Sequence, residues 1–193
     1  MGSAFRGLLN ANEIQRDQLV ICTKAGFITP GAIPEWLEEA DVAGAMHCMT
    51  PRFLEDQIDR IIELARYVGG EDHHFRFVQL PFSLGMVEAY THRNQEGVSV
   101  LKAAARAGIT VIASATLYQG RFATILPEVI TNRIPGLRSA AARSVQFARS
   151  TPGIAAALVG MSKREHVREN LEVANVPPMG VADYEKLYRP VDS

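Results

Sequence analysis

Two adjacent pairs, His47-Cys48 and His73-His74, the second following Glu71-Asp72, gather the residue types that bind metals. Imidazole, thiolate and carboxylate are the usual zinc ligands, and an open fourth position would hold an activated water. The spacing matches no recognised motif. Neighbours in an extended strand point to opposite faces, so a site would draw single residues from distant segments. On this chemistry His47, Cys48, His73 and His74 are expected to hold a divalent metal, Zn or Mn. A second constellation is Ser162-Lys163-Arg164-Glu165. Free backbone N–H groups, the positive end of a helix dipole and two cations make an anion site there, with Ser162 and Glu165 forming a capping box. The bland alternative is an ordinary capped surface helix. No GxSxG motif is present, which leaves no serine nucleophile signal.

These residues must be placed by elements. Four nearly continuous apolar runs, QLVICT (18–23), FRFVQL (75–80), ITVIASA (109–115) and AAALVG (155–160), have the pattern of strands buried on both faces, as in parallel sheets. Helical patterns lie between them. Thr50-Pro51 opens one, with Leu54, Ile58, Ile61, Ile62, Ala65 and Val68 on a single face and a stop at Gly69-Gly70. Segments 98–107 and 139–150 are alanine-rich, and each ends just before the next strand. Strands alternating with helices predict βαβ units and a parallel sheet. The chain reads as one α/β domain over 1–193, with 175–193 as a surface tail.

Composition narrows the function classes. The 193 residues are 47% hydrophobic and 21% charged, which fits one globular domain and excludes disorder or a disulfide scaffold. At this length folding buries roughly 70% of the chain's surface. A net charge of -1 offers no electrostatic footprint for nucleic acid or an anionic membrane. No apolar stretch approaches the ~20 residues of a membrane span. With two cysteines and no signal-peptide pattern in residues 1–15, the expected location is the cytoplasm.

Four segments carry a family likeness. RDQLVICTKAGF (16–27), HHFRFVQLPFSLGMVEA (73–89), GITVIASATLYQGR (108–121) and FARSTPGIAAALVGMSKREHVRENL (147–171) resemble the aldo-keto reductases, (β/α)8 barrels that use NADPH. The resemblance implies that Lys24 is the catalytic lysine closing a strand, and that Gln79 holds the nicotinamide carboxamide. It implies that Ser162, Lys163, Glu169 and Asn170 grip the adenosine end of NADPH. Ser114 stands where many members place an aromatic residue that stacks on the nicotinamide.

The departures set the remaining expectations. Only 23 residues precede Lys24, so the family's aspartate and proton-donating tyrosine are expected to be missing. The segment with its catalytic histidine is expected to be deleted between the helix opened by Thr50-Pro51 and the HHF strand. A lone lysine, titrating near ~10.4, is a poor proton donor at neutral pH. The resemblance therefore implies an incomplete, half TIM-type barrel of about four parallel strands, completed by a homodimer or by rearrangement. The reading favoured on sequence is a metal-dependent hydrolase acting on a small anionic substrate of the phosphate-ester type. The alternatives are an NADPH-dependent reductase with residual activity and a non-catalytic nucleotide-binding remnant.

Overall fold

The computed structural model describes residues 7, 10, 11, 42–43, 47–48 and 51–189. The chain divides into two compact units, Met1–Met49 and Thr50–Ser193. In the first, strands β1 (Val42–Ala43) and β2 (His47–Cys48) pair antiparallel, with Ala43 opposite His47 and Val42 opposite Cys48. The apolar run 18–23 and Lys24 lie outside the described residues.

The second unit opens with helix α1 (Pro51–Gly69), and Pro51 takes the first helical position, where its missing N–H costs nothing. Ile58 and Ile62, one turn apart, are buried, as the periodicity predicts. Val68, expected on the same face, is instead 77% exposed together with Leu64 and Tyr67, because the last turns of α1 project beyond the core. Gly70, at φ +69, ends the helix by donating to the Arg66 carbonyl.

Strand β3 (Phe77–Pro81) follows, then α2 (Glu88–Thr91) and α3 (Val100–Arg106). Strand β4 (Thr110–Ser114) leads to α4 (Arg121–Thr124), α5 (Glu128–Arg133) and α6 (Ala140–Ser150). Strand β5 (Ile154–Ala157) leads to α7 (Arg164–Glu172), a 3-10 turn (Val173–Asn175) and α8 (Val181–Lys186). Serine caps fix two of the helix starts, Ser99 accepting from Lys102 N–H and Ser139 from Ala142 N–H.

The three strands form one parallel sheet in the order β3-β4-β5, so the unit is a partial TIM-type arrangement. Leu80, Val111, Ala113 and Ile154 turn to one face and pack with Val100, Leu101 and Ala104 of α3 and Val145, Phe147 and Ala148 of α6. Each such large aliphatic side chain contributes roughly 1.5–3 kcal/mol by leaving water. The opposite face is not covered in the way the continuous apolar runs predict. Phe77 is 57% exposed, and Gln79 and Ala156 are exposed too, because the described helices pack on one side only.

The described residues of the C-terminal segment are mostly exposed but are tied to α6. Arg149 donates to the carbonyls of Val173 and Val176, Gln146 to that of Pro177, and Ser150 accepts from Met179 N–H. Beyond this clamp Tyr184 is fully buried, its ring against Phe147 and Tyr90. Backbone groups bonded by α6 side chains hold the segment, and its hydrophobic residues follow no strand or long-helix period that would mark it in sequence.

Candidate functional site

Parallel strands bring their carboxyl ends to one edge of the sheet, the place where ligands bind in α/β folds. Here Pro81 pairs with Ser114, and Phe82 N–H donates to the Ser114 carbonyl at 2.9 Å, tying the exits of β3 and β4 together. Leu158 N–H donates to Ala113 at 2.8 Å, which fixes the exit of β5 beside them. Gln79 registers with Ile112 on β4, and Ile112 with Ala156 on β5, so its exposed amide stands on the uncovered face flanked by apolar neighbours.

The turn after β3 is closed by reciprocal bonds between Ser83 and Met86. Its Gly85 lies against the loop after β4, where an added Cβ would sit 3.2 Å from the Phe122 ring. In that loop the rings of Tyr118 and Phe122 stack at 5.2 Å, and the Arg121 guanidinium lies over Tyr118 at 5.8 Å.

Helix α7 starts differently from the sequence expectation. Lys163, extended at φ -127 and ψ 152, is the N-cap, and no side chain bonds the first turn. Ser162 therefore sits one residue too early to cap, and the third residue beyond the cap is His166 rather than Glu165, so the capping box is not made. The amides of the first turn are left without a side-chain acceptor. Ser162, Lys163 and Arg164 are exposed beside them. Glu169, two turns on, lines a cleft of about 280 Å³ with Arg138, Ser139, Glu172 and Asn175. Asn170 is partly buried and does not line it.

The metal expectation gains no support. His47 and Cys48 belong to the first unit, His73 and His74 to the second. His73 is 9% exposed, and its Nδ1 lies 3.2 Å from an Arg76 guanidinium nitrogen. His74 is exposed. Among the described residues no group of three or more His, Cys, Asp or Glu side chains comes together. No described helix is long and apolar enough to cross a membrane. Sequence reasoning missed Arg138, which lines the cleft with Glu169 from an aperiodic loop outside every motif.

No protein-family model and no curated protein matches the chain. Solved structures similar to it are aldo-keto reductases. The holo form of one from Bacillus halodurans shares 12% identity at a TM-score of 0.44, over 69% of this chain and 56% of that one. Its apo form shares 14% identity at a TM-score of 0.44, over 69% and 58%. A thermostable aldo-keto reductase in complex with the inhibitor epalrestat shares 15% identity at a TM-score of 0.43, over 69% and 53%. The chain thus spans little more than half the length of these structures.

Proposed function

We propose that this chain is an aldo-keto-reductase-type half barrel that binds NADPH across the carboxyl edge of its sheet. One observation carries the reading: the exposed Gln79 amide on the uncovered sheet face, with the uncapped, cationic start of α7 at the exit of the third strand. These groups fit the dinucleotide by chemistry. An amide pairs with a carboxamide through complementary donor and acceptor, and free helix amides with Lys163 and Arg164 receive phosphate. The two carboxylates of the Glu169 and Glu172 cleft offer acceptors for the amino and hydroxyl groups of an adenosine. NADPH, when bound, would supply a hydride, and Ile112 and Ala156, beside Gln79, would offer the nicotinamide ring an apolar surface. The sequence resemblance makes Lys24 the lysine of the family's catalytic group and gives proton donation to a tyrosine expected to be missing, so binding is proposed here and turnover is not.

The same uncovered face favours self-association. Phe77 and Leu158, 57% and 46% exposed, leave apolar area that a second copy would remove from water.

The binding test is a titration of the whole chain with NADPH, followed by calorimetry and cofactor fluorescence. Lys163→Ala is expected to weaken binding about fivefold, with a reduced salt dependence, from loss of one exposed cation contact. Gln79→Ala is expected to weaken it by a similar factor without changing the salt dependence. No binding at millimolar NADPH, or two variants indistinguishable from the parent, refutes the reading.

A further inference from the structure

The helices beside the sheet form a layer whose two ends carry apolar side chains into water. Helix α1 precedes β3, α3 joins β3 to β4, α6 joins β4 to β5 and α7 follows β5. Parallel crossovers share one hand, so the helices keep the order of the strands and α1 and α7 stand at opposite ends. Each packs on one neighbour, α1 on α3 and α7 on α6. On α1, Leu64, Tyr67 and Val68 are between 60% and 89% exposed. On α7, Val167 and Leu171, one turn apart, are 38% and 64% exposed, and none of the nine residues of the helix is buried. A helix that short is marginal in water by itself, and packing of its apolar stripe is what stabilises it.

The two ends match in level, charge and area. The last turn of α1 leads into the amino end of β3. Arg149, in the last turn of α6, bonds the Val173 carbonyl just beyond α7, so α7 also ends at the amino edge of the sheet. Tyr67, Val68 and Leu171 therefore lie at one level. About a turn back, each helix carries an exposed charge, Glu63 on α1 and Arg168 on α7. Neither enters the ion pairs of the described residues, which are Arg66 with Glu71 and Lys186 with Asp183. At roughly 200 Å² for a large side chain, these five apolar residues with Phe77 and Leu158 leave on the order of 850 Å² per copy open to water. Each partner in a standard-size interface buries roughly 800 Å². We infer that two copies close end to end about a two-fold axis along the strands, with α1 of each copy laid against α7 of the other. The contact is made twice, Tyr67 and Val68 meeting Leu171 of the other copy and Glu63 meeting its Arg168. Closure leaves no free end, whereas an unclosed repeat of the same contact would run on as a filament. Phe77 and Leu158 then line the enclosed interior. This gives the self-association proposed above its interface, and it does not depend on the dinucleotide reading.

The experiment is sedimentation equilibrium of the whole chain across the micromolar range, on the parent, Tyr67→Glu, Glu63→Arg, Arg168→Glu and the double variant Glu63→Arg with Arg168→Glu. The parent is expected to be a dimer. Tyr67→Glu places a charge at the centre of the contact and is expected to raise the dissociation constant at least about thirtyfold. Each single reversal sets like charges against each other and is expected to raise it about five- to tenfold. The double variant restores opposite charges at both seams and is expected to return to within about twofold of the parent. That recovery separates a lost contact from a damaged fold, including the case where a single reversal leaves the chain unfolded by circular dichroism. A monomeric parent overturns the inference, as do a dimer that none of the changes weakens, a double variant no better than the single ones, and a mass that keeps growing with concentration. NADPH added to the parent keeps the two readings apart: a monomer that binds it sinks only the interface, and a dimer with charge recovery that does not bind it sinks only the dinucleotide reading.

Discussion

Alkali is expected to unfold this chain by charging a phenol that the fold keeps neutral. The Tyr184 hydroxyl lies 2.7 Å from Thr151 Oγ1 and 3.0 Å from the Tyr188 hydroxyl, inside a cage of the Phe147, Tyr90 and Tyr188 rings at 5.3, 5.5 and 5.7 Å. Burial above all, then the adjacent Tyr188, push its pKa far above the ordinary 10.0. Burial likewise pushes Tyr188 up to about 12 and raises Tyr90. A phenol with a raised folded-state pKa holds its proton where the unfolded chain has lost it. Its stabilising contribution is complete below the unfolded value and drains away as pH climbs from there through the folded value.

For Tyr184 alone the loss is about 1.4 kcal/mol between about pH 8 and pH 11, about 0.4 kcal/mol of it by pH 10 and about 1 kcal/mol above. Tyr184→Phe removes the titrating group. At about pH 8 the variant should be less stable by about 1 kcal/mol, one hydroxyl pairing, since Thr151 keeps its bond to the Phe147 carbonyl. The two stability curves therefore cross between about pH 10 and pH 11. Urea denaturation of both proteins, followed by circular dichroism at about pH 8, 10 and 11, reads the crossing directly. Curves that fall in parallel would show that some other group is being charged, and the argument from Tyr184 would be refuted.

Three further outcomes follow from the packing. Gly153 holds φ +96, and a Cβ there would stand 3.0 Å from that of Leu101, so Gly153→Ala should cost about 2–4 kcal/mol by urea midpoint. Arg149→Ala removes the donors to Val173 and Val176 and should cost about 2 kcal/mol, with hydrogen exchange accelerating over 173–189 ahead of the rest. Light scattering should give about twice the chain mass at micromolar concentration, and a folded monomer would leave the exposed Phe77 face without a partner copy.

The strands and long helices were legible because burial writes period and length into sequence. Runs at 75–80, 109–115 and 155–160 became β3, β4 and β5 within two or three residues, and Ser99 and Ser139 are the caps of the helices that the alanine-rich segments announce. What those runs could not report is which face is covered. A strand apolar on both sides reads the same whether its second face meets a helix, another strand or solvent, and Phe77 shows the difference. The capping box at Ser162 was misread because the motif records residue types and not the residue at which the backbone turns helical, and the extended Lys163 takes the cap position.

The C-terminal segment and the β4 loop escaped sequence reading together, and one helix explains both. Periodicity records side chains that avoid water and is blind to side chains that bond to another segment's backbone. Helix α6 does both. Phe147 and Ala148 face the sheet core, Ser144 holds the Phe122 carbonyl at the loop exit, and Gln146, Arg149 and Ser150 hold 173–179. Each of those partners is a carbonyl or amide, whose identity is the same for every residue type, so the sequence of the held segment is free to vary while the clamp is not. A change in α6 that loosens the clamp should therefore reach the loop at 115–120 through Ser144, within one and a half turns of Arg149, whereas a change in the clamped segment should stay local. Ser144→Ala is the variant that separates these cases: it leaves Arg149 and Gln146 untouched, and it should lower loop protection by hydrogen exchange without freeing 173–179.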